Sequence, residues 1–183
     1  MSPERSSEIG QDRPELIRTD TAKAAIWATI AGLSQLIAVA FAQGFYPDWY
    51  FLFIALGYGL LLPALAVLHV RHTAVRQSGA ILGTSAGTAA VMVGLAASAN
   101  ADLVVAALLM RGIWWWTIGK MWAQTGVLPR WLGVPTMALG VFAIAMAVAS
   151  APLSMSFETL WTAERLILGI WAIALAFALW RTR

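Results

Sequence analysis

Long apolar runs separated by short polar breaks set the pattern of this chain. Six runs, near residues 23–43, 51–70, 79–98, 102–121, 132–150 and 157–180, each approach the ~20 residues a helix needs to cross a bilayer. No segment alternates with a period of two, so a β-barrel is not indicated. The breaks are short, which makes sequential helices antiparallel neighbours. The pattern predicts an all-α, polytopic membrane bundle of six transmembrane helices over 23–183, behind a polar N-terminal tail over 1–22.

Composition agrees with the pattern. Of 183 residues, 60% are hydrophobic and 11% charged, with mean hydropathy +0.74. Soluble domains carry about 25% charged residues. The absence of cysteine excludes disulfides, thiolate metal sites and thiol redox chemistry. The net charge of +3 is small and belongs to membrane topology, with no nucleic-acid footprint.

The basic residues set an orientation. Arg5, Arg13, Arg18 and Lys23 precede the first run, Arg71 and Arg76 follow the second, Lys120 and Arg130 flank the fourth break, and Arg181 and Arg183 end the chain. The alternate breaks, "GFYPDWY", "SANAD" and "SAPLSMSFE", hold only acidic charges: Asp48, Asp102 and Glu158. Positive residues mark the cytoplasmic side, so both termini are expected there. The tail is polar and mixed in charge, too poor in apolar residues to bury a core, and Asp20 is a candidate N-cap for the first helix. "AFA" at 40–42 resembles a signal-peptidase site, but the acidic residues before it and the long apolar run argue against cleavage.

Several motifs carry a packing reading beside a chemical one. In the third run, Gly79, Gly83 and Gly87, then Ala90, Gly94 and Ser98, recur every four residues. Such a stripe admits a close neighbour, either another helix of the bundle or a second copy of the chain, and the first is favoured. "GTSAG" in the same run has the form of a serine-hydrolase elbow, but Ser85 lies inside a helix where no elbow forms. His69 and His72 share a helix end and could ligate a metal or haem; a bis-histidine haem would want a histidine on a second helix, and the chain has none. Pro63, with Gly57 and Gly59 upstream, predicts a kink in the second run. Gln35, mid-span in the first run, predicts a hydrogen bond to a neighbouring helix or a polar cavity wall.

The strongest lead lies in "LLMRGIWWWTIGKMW", residues 108–122. Arg111 is nine residues from both Asp102 and Lys120, so it sits about 13 Å from either end of its span. An arginine there costs about 2.5–3.5 kcal/mol on insertion scales and must face the bundle interior with a partner. The sixth run supplies Glu158, Glu164 and Arg165. The fourth and sixth runs point the same way, which brings Glu164 within about 5 Å of the depth of Arg111. Two arginines and two glutamates suggest a charge-balanced polar network open toward the outer side. Trp114 and Trp115, at i+3 and i+4 from Arg111, read either as an aromatic floor beneath it or as part of a thick aromatic belt. Trp116 points elsewhere, toward lipid or another helix, and Lys120, Trp122 and Trp131 read as interfacial.

"TGVLPRWLGVPTMALGV" resembles the LPRWLG turn of several uncharacterised bacterial six-helix membrane protein families. The resemblance implies six helices and the bacterial cytoplasmic (inner) membrane, and no particular activity. The ten tryptophans are similar in number to those of tryptophan-rich sensory proteins, but that family has five spans and its proline–tryptophan motifs do not occur here.

Two functions follow. One is a polar intramembrane site, built from Arg111, Trp114, Trp115, Glu158, Glu164, Arg165 and Gln35, that binds or transports a small anionic or polar ligand. The other is a non-catalytic subunit or sensor that acts through a membrane partner, its charges a structural clamp. Lipid is the obligatory surrounding; a small ligand or lipid and a second copy or membrane partner are the further candidates. No nucleotide motif, catalytic set, metal set or cofactor site is visible, which favours binding over catalysis.

Overall fold

The computed structural model describes residues 4–42, 49–150 and 152–182. It is helical, with no strand among the described residues. Helices α1 (Glu4–Ala42), α2 (Trp49–Gly59), α3 (Leu61–Thr73), α4 (Gln77–Ala97), α5 (Val104–Thr125), α6 (Arg130–Ala149) and α7 (Phe157–Arg181) follow in order, with a 3₁₀ turn at Ala101–Leu103 leading into α5. They provide six helices long and apolar enough to cross a membrane, with α2 and α3 forming one of them.

The boundaries have local causes. The second span breaks at Leu60 because Pro63 has no N–H to give the Gly59 carbonyl, as Pro63 and its upstream glycines predict. α5 ends where Gly126 takes a left-handed φ of 70° and its N–H returns to the Trp122 carbonyl at 3.0 Å. Ser156 caps α7 by accepting from the Thr159 N–H at 3.2 Å. Asp20 caps nothing. α1 begins at Glu4, so Asp20 lies within the helix, exposed, 4.0 Å from Lys23 one turn on.

Association in lipid lacks a hydrophobic drive and depends on close van der Waals fit, which small residues permit. Two pairs exploit this most. α5 and α6 pack at glycine on glycine: a Cβ on Gly112 would lie 2.9 Å from the Gly140 carbonyl, and one on Gly119 2.8 Å from that of Gly133. α1 and α7 meet likewise at Gly32 and Gly169. The α4 stripe faces inward: Gly83 meets Ile118 of α5, Gly87 meets Trp114 and Leu65, and Gly94 meets the Tyr58 ring.

The neighbour rule fails at one place. α7 follows α6 in sequence yet packs along α1 and touches α6 and α5 only sparsely. The bundle therefore consists of two glycine-locked pairs, α1·α7 and α5·α6, joined through α2, α3 and α4. The end holding Arg71, Arg76, Lys120, Arg130 and Arg181 is called the basic end below; the other is the far end.

Candidate functional site

Charged side chains buried in the bundle interior gather at one depth. Arg111 is 0%, Arg165 1% and Glu164 3% exposed. Arg111 reaches across from α5 so that Nη2 lies 2.9 Å from Glu164 Oε1. Tyr58 of α2 donates its hydroxyl to the other carboxylate oxygen at 3.0 Å. The Arg111 guanidinium lies 5.4 Å from the Tyr58 ring centre, 5.9 Å from Trp114 and 5.6 Å from Trp115. Trp171 of α7 completes the floor, edge-on to Trp114 at 5.1 Å and tilted to Trp115 at 5.5 Å. Its indole N–H is held by the Thr136 hydroxyl of α6 at 3.0 Å.

Arg165 occupies a separate niche on α7. Its guanidinium stacks 4.3 Å from the Trp161 ring centre and 4.8 Å from that of Tyr50, and Nη1 donates to the Tyr50 hydroxyl. No carboxylate pairs with it among the described residues. Nε and Nη2 are buried without a hydrogen-bond partner. Arg111 likewise keeps Nε and Nη1 unpaired, and its Nη2 meets Glu164 as an ion pair without hydrogen-bond alignment. Unmade bonds of this kind are expensive away from water.

The expected balance of two arginines and two glutamates is therefore corrected. Glu158 lies on the Arg165 stripe, but about 10 Å nearer the far end along the helix, and it is exposed. The buried layer contains two positive groups and one negative group, a surplus of one positive charge. Gln35 also departs from expectation. It is fully buried, packs against Gly57, where a Cβ would meet its side-chain nitrogen, and neither amide atom has a hydrogen-bond partner. From the Gly32–Gly169 crossing, Gln35 is three residues and Arg165 four residues toward the far end, within about 2 Å of the same depth.

Two openings approach the layer. A cavity of about 20 Å³ lies between α5, α6 and α7, bounded by Arg111, Trp115, Ala143, Met146 and Glu164. One water needs about 10–15 Å³ on the same measure, so this space admits water and no larger ligand. At the far end a cavity of about 730 Å³ is lined by Tyr50, Phe51, Ser98, Glu158, Trp161 and Thr162 among others. From it the stacked rings of Phe157, Trp161 and Tyr58 step down to the Glu164 carboxylate.

Thus Arg111, Trp114, Trp115 and Glu164 come together, Arg165 and Gln35 join them at the same depth, and Glu158 stands apart at the cavity mouth. Tyr50, Tyr58, Trp161 and Trp171 were not foreseen. A signal existed for Tyr58: a tyrosine mid-span needs a hydroxyl partner, and nine residues from the start of its helix it matches the depth of Glu164. Trp116 is 40% exposed and faces outward, as expected, and Trp131 is exposed at the basic end. Trp122 is not interfacial. It is fully buried, stacks parallel to Trp171, and donates its indole N–H to His72 Nε2 at 2.8 Å.

The remaining chemical motifs dissolve. His72 spends Nε2 on Trp122, and His69 Nδ1 pairs with Thr84 at 2.8 Å. No group of three or more metal-binding side chains occurs among the described residues. Ser85 is exposed on the outside of α4, inside a helix where no elbow forms.

The six apolar helices define a multi-pass membrane helix bundle. Compared with protein-family models, curated proteins and solved structures, the chain matches none.

Proposed function

We propose that the protein binds, and by moving its helix pairs transports, a small anionic ligand at the buried charged layer. The observation that carries this is the surplus positive charge: Arg111 and Arg165 are buried against a single carboxylate, with unpaired donors on both. Membrane-buried charges face a cavity or a partner, and a guanidinium does not discharge itself by losing a proton. A bound anion restores neutrality and fills the donors. The positive-inside rule puts the far end, and so the 730 Å³ cavity, on the outer face of a bacterial inner membrane. Native mass spectrometry of the purified protein tests the reading. A stoichiometric small anion that exchanges with added ligand is expected; protein that is ligand-free, and in which no added anion changes stability, sinks it.

One observation favours the alternative of a clamped, non-catalytic subunit or sensor acting through a partner. Arg111 is already paired with Glu164, beside a space that admits only water. In that case the pair holds α5 to α7 and the ligand chemistry rests on Arg165 alone or is absent.

A further inference from the structure

We propose that the seat of the anion is Arg165, through its Nε–Nη2 edge, and that the ligand is a monocarboxylate with an apolar substituent. The assignment rests on the anion-site reading and narrows it to one residue and one ligand class.

A guanidinium has two flat faces and a rim of five N–H donors. At Arg165 the Trp161 and Tyr50 rings stack on the charge, and the Tyr50 hydroxyl takes Nη1. What remains is Nε and Nη2, both buried and unpaired. These two nitrogens carry parallel N–H bonds along one edge, the spacing that a carboxylate meets with both oxygens. Arg111 has no such edge to offer, since Nη2 is already against Glu164. The charge count agrees: two cations and one carboxylate leave room for one negative charge, and one only.

The approach selects the rest of the ligand. Tyr50 and Trp161 line the far-end cavity and stack on Arg165, which is buried beneath them, so an entering carboxylate must part these rings to reach it. Phe51 and Phe157 add apolar surface to the same cavity. Glu158 stands at the mouth and is exposed, which disfavours a ligand with a second negative charge. Gln35, unpaired at the depth of Arg165, can serve a further polar atom of the ligand.

The test uses the full chain in detergent, with benzoate, acetate, succinate, phosphate and chloride at constant ionic strength, read by tryptophan fluorescence and thermal shift. Saturable benzoate binding is expected, with succinate and phosphate at least tenfold weaker. Arg165→Lys keeps the charge but loses the two-pronged edge and should weaken benzoate at least tenfold. A lipid-facing change, Trp116→Phe, should leave it unaltered. A series from acetate to oleate separates an aqueous acid, strongest at short or aromatic acids, from a membrane-borne fatty acid, strongest at oleate; both keep the carboxylate. Should Arg165→Lys fold poorly, photolabelling of the wild-type chain with benzophenone-4-carboxylate must mark residues 50–51 or 157–165. Benzoate binding that survives in Arg165→Lys, labelling confined to α5, or a preference for phosphate overturns the assignment to Arg165 while leaving an anion site. If none of these anions binds the wild type saturably, the anion-site reading falls with it.

Discussion

Replacing Glu164 with glutamine should destabilise the bundle more than replacing Arg111 with methionine, and the two changes together should cost less than either alone. The separation of 2.9 Å between Arg111 Nη2 and Glu164 Oε1 corresponds to about 6 kcal/mol of attraction at an effective dielectric near 20. Most of that only offsets the cost of taking both charges out of water. Removing one partner strands the other, at about 3–5 kcal/mol. The two strandings differ. A stranded glutamate keeps its bond from Tyr58, and the buried layer is then neutral in sum, with Arg165 its remaining cation. A stranded arginine stays charged, and in Glu164→Gln the buried layer rises from one surplus positive charge to two. Methionine opposite glutamine leaves the layer with the same single surplus positive charge as the wild type, on Arg165, so the double variant should return to within about 1–2 kcal/mol of the wild type. Two single losses of about 3–5 kcal/mol against about 1–2 kcal/mol for the double variant give a coupling energy of about 4–9 kcal/mol, above the usual range of neighbour couplings. Reversible unfolding in mixed micelles by added dodecyl sulfate measures all four corners of the cycle. A coupling below about 1 kcal/mol, or Glu164→Gln milder than Arg111→Met, refutes a buried and unrelieved ion pair.

Three further outcomes are expected. Gly140→Val drives a side chain onto the Trp116 backbone nitrogen, 2.5 Å from the Cβ position, and should lower stability by about 1–3 kcal/mol or more, whereas Gly59→Ala meets nothing within 4 Å and should be neutral in the same thermal assay. His72→Leu orphans the buried Trp122 indole N–H and should cost about 1–3 kcal/mol, while His69→Leu should cost less, because the Thr84 hydroxyl can turn to the carbonyl one helical turn back. The chain has no cysteine, so single cysteines at Ala99 and Leu153 should react with an impermeant maleimide from outside intact cells and those at Gln77 and Gln124 only after lysis; the opposite pattern would reverse the orientation.

The parts of the fold visible in sequence are those governed by one helix at a time. Span length, the Pro63 break and the Gly126 stop depend on local residues, and the first two appear where the sequence places them. Depth is also a one-helix property, which is why counting residues along two spans sufficed to bring Arg111 to Glu164. Which helices touch is a different matter. Loop length predicts α6 against α7, but the choice depends on paired surfaces: Gly112 and Gly119 fit Gly140 and Gly133, and Gly32 fits Gly169. Each of these glycines is unremarkable until its partner on another helix is known. Trp122 failed for the same reason, since only the arrival of Trp171 and His72 turns an interfacial tryptophan into a core one.

The same pairing explains why the charge sits where it does. α5 and α6 move as one body if they move at all, because backbone lies against backbone at two glycine contacts, and α1 and α7 do so at another. Between these bodies the backbones stay apart and side chains bridge them: the Arg111–Glu164 pair in the layer, and nearer the basic end the rings of Trp114, Trp115 and Trp122 on Trp171, with the Trp171–Thr136 bond. An ion pair placed at a seam is a weak source of stability, since apolar packing would do as well. It is a sensitive one, because its energy depends on every charge nearby. Glu164 and Arg165 are adjacent on α7, and Tyr58 donates its hydroxyl to the Glu164 carboxylate. An anion docking at Arg165 would cancel a positive charge beside Glu164, and so alter the field on the pair that closes the seam. If an anion occupies the far-end site as proposed, a charge at this boundary would link its binding to the separation of the two halves.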